Sequence, residues 1–180
     1  GVVLIPLLKR LKVGQRLSEY LEEKHKSKQG TPTMGGLIFI IPTVLAMVMM
    51  YLFGKIKFNT TILIVIFTFL SYSLIGFIDD YLIIKRKNNE GLTEFQKIAG
   101  QILIALIFFF IYMKSGAEPI VEVYTLGIEI HLGWFYGIFL LFMLVASSNA
   151  VNITDGLDGL AGGLSLIAFL TFALISANSP

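Results

Sequence analysis

Apolar residues in this sequence gather into long unbroken blocks. Five runs approach spanning length, at about 34–53, 60–78, 97–113, 133–151 and 159–177. Each is close to the roughly 20 residues an α-helix needs to cross ~30 Å of hydrocarbon. None alternates as a barrel strand does, and a helix is the other structure that satisfies every backbone group inside lipid. The pattern predicts an all-α fold, a polytopic transmembrane helical bundle. A shorter block at the start, "GVVLIPLL", is followed by "KRLK" and reads as the end of a sixth helix. A signal peptide has the opposite order of charge and apolar core. The last run stops at "ISANSP", so the chain reads as a single membrane domain, residues 1–180, cut from a larger protein. The polar stretch "KSGAEPIVEVYTLGIEIHL" alternates around Gly127 and predicts a small β-hairpin at 118–131. Its His131 stands alone and reads as structural.

Composition removes the soluble classes. The chain is 56% hydrophobic and 14% charged, where a soluble domain is about half apolar and about a quarter charged. The basic residues then set orientation. Seven lie at 9–33 (Lys9, Arg10, Lys12, Arg16, Lys24, Lys26, Lys28) and four in or beside 79–97 (Lys85, Arg86, Lys87, Lys97), against Lys55, Lys57 and Lys114 on the other side. The bias of positive charge toward the cytoplasm places those first two loops inside. If every run crosses once, the 149–159 loop is cytoplasmic as well.

Three segments on that side hold the unusual polar chemistry. In "HKSKQGTPTMGG", residues 25–36, Pro32 and Gly35–Gly36 shape the approach to a helix. Thr31 or Thr33 is placed to cap it, exposed amides there favour an anion, and Lys26 and Lys28 lie where they meet a phosphate. A basic loop obeying the orientation rule explains the lysines equally well. In "GFIDDYLIIKRK", Asp79 and Asp80 close an apolar run, so two acids are expected at a helix C-terminus, where the dipole opposes them. Interfacial acids are functional candidates, and a carboxylate pair suits Mg²⁺, which takes one or two carboxylates along with phosphate oxygens. No second acid pair completes a DDxxD motif. In "NAVNITDGLDGLAGG", residues 149–163, a helix starting near Thr154 would put Asp155 and Asp158 on one face of its first turn, with Thr154 as cap. Capping leaves Asn149 and Asn152 unexplained. Gly156 and Gly159 clear space beside both acids for a ligand or a second backbone. Too few oxygens stand at fixed offsets for a calcium loop. The "NIT" sequon lies on the cytoplasmic side.

"TPTMGG", "GFIDDY" and "NAVNITDGLDGLAGG", in that order and on one membrane side, resemble the polyprenyl-phosphate N-acetylhexosamine-1-phosphate transferases. The likeness covers essentially the whole chain, including "GLTEFQKIAGQ". "TPTMGG" favours the branch that transfers phospho-N-acetylmuramoyl-pentapeptide over the branch that transfers N-acetylglucosamine phosphate. The resemblance implies Mg²⁺-dependent transfer from the UDP-linked precursor to undecaprenyl phosphate, giving lipid I and UMP in peptidoglycan synthesis. It implies a bacterial inner membrane, a site on the cytoplasmic face, and a homodimer. By matched motif, Asp79, Asp80, Asp155 and Asp158 are the catalytic acids. Lys28, Thr33, Lys97, Asn149 and Asn152 bind substrate, and Asp79 and Asp80 serve the metal. Many relatives have a lysine where this chain has Ile83. A third aspartate, the principal Mg²⁺ ligand, and a histidine-rich loop are expected beyond Pro180, so this chain alone is expected to be inactive.

The chemistry of the reaction fits the placement. Phosphoryl transfer between two anions needs positioning and charge neutralisation above all. A lipid phosphate with a second pKa near 6 is largely dianionic at about pH 7, which favours direct attack over a covalent aspartyl step. A transporter is the rival from another class; it calls for polar breaks near the midplane. Here the runs' middles, such as "ILIVIFTFL", carry no charge.

Overall fold

A computed structural model of the chain describes residues 5–6, 34–86, 90–123, 125–157 and 159–178. It divides into two compact units, Gly1–Pro119 and Ile120–Pro180. The first holds α1 (Leu37–Leu52), α2 (Thr60–Arg86) and α3 (Glu94–Lys114). The second holds strands β1 (Ile120–Val123) and β2 (Ile128–His131), then α4 (Phe135–Thr154) and α5 (Leu160–Asn178). The expected sixth helix lies outside the described residues, apart from Ile5 and Pro6.

Four of the five runs form helices long and apolar enough to cross a membrane, and the chain is a multi-pass membrane protein. The first run forms a helix of 16 residues, about 24 Å long at 1.5 Å per residue. Its C-terminus explains the shortness. Gly54 takes φ +67°, and Lys55 N–H donates to Met50 O while Gly54 N–H donates to Tyr51 O, both at 2.9 Å. That crossed pair is a Schellman closure, in which a left-handed residue, most readily glycine, stops the helix.

α2 is longer than its apolar run. Asn59 Oδ1 accepts from Ile62 N–H at 2.8 Å, which caps the start. The helix then continues past residue 78, through both acids, to a last turn holding Lys85 and Arg86. The acids are therefore not C-terminal, contrary to what the run alone predicts. The basic last turn favours the negative end of the dipole, and "YLII" between is apolar enough to carry the helix on. α3 opens on a capping box: Gln96 N–H donates to Thr93 Oγ1 at 3.2 Å and Thr93 N–H to Gln96 Oε1 at 3.0 Å. Such a cap contributes about 1 kcal/mol.

α2 and α3 pack on each other, and the buried core of the described residues belongs to them: Ile64, Gln101, Ile104 and Ala105. α1 and α4 contribute no buried residue. Large side chains such as Phe39, Phe142 and Phe169 point outward, as expected where the surrounding solvent is lipid and the apolar surface has no water to escape.

In the second unit β1 and β2 pair antiparallel, Val121 opposite Ile130 and Glu122 opposite Glu129, the hairpin that alternation around Gly127 predicts. α4 ends at Thr154 and α5 begins at Leu160, so the 155–159 segment is a link between helices.

Candidate active site

The two neighbouring acids of α2 reach in different directions. Asp80 Oδ2 accepts the main-chain N–H of Met34 at 2.7 Å. Met34 has φ +66° and is the one non-glycine residue in the left-handed region among the described residues. Leu37 N–H then closes onto Met34 O at 3.1 Å and Ile38 N–H onto Gly35 O at 3.0 Å. The turn "MGG" thus leads into α1 while its first amide rests on Asp80. The cap position of α1 is Gly36, which has no side-chain cap bond; Thr31 and Thr33, the expected caps, lie outside the described residues. The first amides expected to await an anion are closed on the turn's own carbonyls, and the anion held nearby is the carboxylate of Asp80.

Asp79 faces the link between α2 and α3. Its Oδ1 accepts Leu92 N–H at 2.6 Å, and Lys97 Nζ lies 3.3 Å from its Oδ2, with the two side chains only 20% and 21% exposed. Lys97 also meets Glu94 at 3.7 Å, but Glu94 is 78% exposed. The Asp79 contact is the stronger of the two, because screening weakens exposed pairs. Arg86 donates from its guanidinium to Gly91 O at 3.0 Å and more weakly to Glu90 O at 3.4 Å. Of the basic residues that follow Ile83, Arg86 therefore binds the link rather than projecting from it.

The first unit thus joins Asp79, Asp80, Lys97 and the end of the "TPTMGG" segment. Lys28 and Thr33 lie outside the described residues, as does Asp158. Asn149, Asn152 and Asp155 belong to the second unit. Asn149 Nδ2 donates to Val145 O at 2.8 Å, and Asn152, three residues on, shares its helix face. Thr154 ends α4 with its hydroxyl donating back to Ala150 O at 2.7 Å. Asp155 is the C-cap, its N–H directed at Val151 O and Asn152 O. Both expectations for this stretch are corrected: Thr154 closes one helix instead of opening the next, and Asp155 follows it as C-cap. The helix of α4 simply persists through "NAVNIT", a polar sequence whose residues still close the i→i−4 ladder.

Among the described residues no group of three or more His, Asp or Glu is placed to hold a metal. The Asp79–Asp80 pair supplies two carboxylates, the number a Mg²⁺ ion takes when water and phosphate complete its shell. The two reach in different directions, each onto a main-chain amide, and do not form a closed protein cage. Sequence reading missed three parts of the arrangement: the Met34 amide, Gly91, and the guanidinium of Arg86. The first two are backbone features. The signal for the link was present in "GLTEFQ", where Thr93 and Gln96 have capping-box spacing.

Residues 62–179 match glycosyl transferase family 4, and residues 28–40 match phospho-N-acetylmuramoyl-pentapeptide-transferase signature 1. The chain is similar to the phospho-N-acetylmuramoyl-pentapeptide-transferase of Bacillus subtilis (strain 168), at 43% identity over 177 residues, covering 98% of this chain and 54% of that protein. To its namesake from Oceanobacillus iheyensis it is 42% identical over 174 residues, 97% of this chain and 53% of the relative. With that of Staphylococcus epidermidis it shares 44% over 180 residues, with 97% and 54% covered. The chain spans about half the length of the curated relatives it matches.

Proposed function

The chain belongs to glycosyl transferase family 4, and on that footing we propose that the protein containing it transfers phospho-N-acetylmuramoyl-pentapeptide from its UDP-linked form to undecaprenyl phosphate, giving lipid I and UMP. The observation that carries this reading is the joining of two sequence elements. The 28–40 signature segment contains a turn whose Met34 amide sits on Asp80, one of an acid pair at the polar end of a membrane helix. A lipid phosphate arrives through the bilayer and a nucleotide sugar through water, so their reaction needs polar groups at such a rim. The clustering of positive charge on this side supports the cytoplasmic face of the bacterial inner membrane.

Asp79 and Asp80 would hold Mg²⁺, which supplies charge neutralisation between the two anionic substrates. Lys97 adds a cation beside Asp79 and would meet the diphosphate of the donor. Lys28, Thr33, Asn149 and Asn152 would bind the nucleotide sugar, and Asp155 and Asp158 would orient its hydroxyls or the attacking phosphate. The lipid phosphate oxygen attacks the sugar-linked phosphorus, its bond forms as the bond to the UMP oxygen breaks, and UMP leaves as an anion.

The test is a transfer assay on the full-length protein with undecaprenyl phosphate and each of two donors, the UDP-linked muramoyl-pentapeptide and UDP-N-acetylglucosamine. UMP release and a lipid-linked product are expected with the first. Turnover of the second alone assigns the chain to the sister branch, and release from neither sinks the transferase reading. Omitting the lipid phosphate tests the chemical route. Labelled UMP is then expected not to enter the donor, and its appearance there replaces direct attack by a covalent aspartyl step.

A further inference from the structure

Among the described glycines, Gly91 is the one whose missing side chain leaves no room for a replacement. A β-carbon there would overlap Asp79 Oδ1, lie 2.7 Å from Asp79 Cγ and come within 3.0 Å of the Asp79 main-chain oxygen. The backbone angles of Gly91 are not the reason, since it is absent from the residues with positive φ. The requirement is for space: the link between α2 and α3 lies directly on the acid's carboxyl group. Three further contacts hold it there. Leu92 N–H binds Asp79 Oδ1 at 2.6 Å, Lys97 approaches Oδ2 at 3.3 Å, and Arg86 grips Gly91 O at 3.0 Å from the last turn of α2. The capping box at Thr93 fixes the start of α3 and with it the distance from Leu92 to Lys97.

We infer that Gly91 is a positioning residue for Asp79, its bare α-carbon letting the link clamp the carboxylate by one amide and one ammonium, with Arg86 as the strut that holds the link down. The inference rests on the proposed transfer reaction for its role in turnover, while the clamp itself is a matter of geometry. A side chain at 91 pushes the Asp79 carboxyl group off both donors. Because a displacement of about 1 Å in a site can lower turnover by about a hundredfold, the effect on rate is large although Gly91 touches no reacting atom.

A double-mutant cycle in the full-length protein tests the clamp. Gly91→Ala is expected to lower the unfolding midpoint by roughly 3–8 °C. In an Asp79→Ala background the same change is expected to lower it by less than half as much, since only the main-chain oxygen then opposes the new methyl group. Equal losses in the two backgrounds overturn the clamp. Should Gly91→Ala alone fail to fold, recovery of folded protein in the double variant supports the clamp, and failure of both overturns it. The second readout is catalytic: Gly91→Ala is expected to lower kcat by roughly 10- to 100-fold, with KM for the nucleotide sugar within about twofold, while Arg86→Lys, which keeps a donor for Gly91 O, retains more of kcat than Arg86→Met. Unchanged kcat in Gly91→Ala also overturns the positioning role. If the parent protein shows no transfer with either donor, the functional reading falls and the thermal cycle still decides the clamp.

Discussion

Replacing Asp80 with asparagine in the full-length protein is expected to reduce transfer by about a thousandfold or more while leaving the unfolding midpoint close to that of the parent. The two effects separate because the residue has two jobs. One oxygen accepts the Met34 amide at 2.7 Å, and the amide oxygen of asparagine can still accept it. The other job needs charge: a neutral side chain neither binds a hard cation well nor shares in balancing two anionic substrates. Asp80→Ala should differ by losing stability too, since it strands a half-buried amide, at about 1–3 kcal/mol. The paired measurements are UMP release at saturating substrate and thermal unfolding. An asparagine variant that keeps more than about a tenth of the parent rate would remove Asp80 from the machinery.

The second large effect is expected at Lys97. Its Nζ stands 3.3 Å from Asp79 Oδ2, and both side chains are about four-fifths buried by the α2–α3 pair and its link. Lys97→Met keeps the length and apolar stem and removes the ammonium. Turnover should fall by about a hundred- to a thousandfold, KM for the nucleotide sugar should rise, and the unfolding midpoint should drop because Asp79 loses its ionic partner while remaining sheltered. Glu94, the exposed second neighbour of Lys97, provides the control: Glu94→Gln should leave rate and midpoint near the parent values. A methionine variant with unchanged KM and rate would show that Lys97 serves only to hold the helices together.

Both predictions rest on residues visible in the sequence, because their chemistry was out of place in an apolar chain. The helices were legible for the same reason: blocks such as "TILIVIFTFL" leave lipid-crossing helix as the economical way to satisfy the backbone. What could not be read was where helices stop. Asp79 and Asp80 look terminal when only apolarity is followed, yet the ladder runs on to Arg86. "NAVNIT" looks like loop, yet it is the last turns of α4, and the acid after it is a C-cap. Hydrogen-bond continuity decided those boundaries, and single residues such as Gly54 decided others. Contacts made by the backbone left little trace in residue type. Nothing about methionine announces that the amide of Met34 will meet Asp80, and Gly91 reads as an ordinary turn residue until its distance to Asp79 is measured.

The continuation of α2 through the acid pair bears on when order is acquired. Arranging a loop residue when a substrate binds costs about 1–2 kcal/mol of backbone conformational entropy. Asp79 and Asp80 incur none of it at that moment, since their φ and ψ angles are fixed when the helix forms. Binding energy from the two substrates is left for bringing phosphate to phosphate. Amide hydrogens at 79 and 80 should accordingly exchange on the slow timescale of the helix as a whole, in the absence of any ligand.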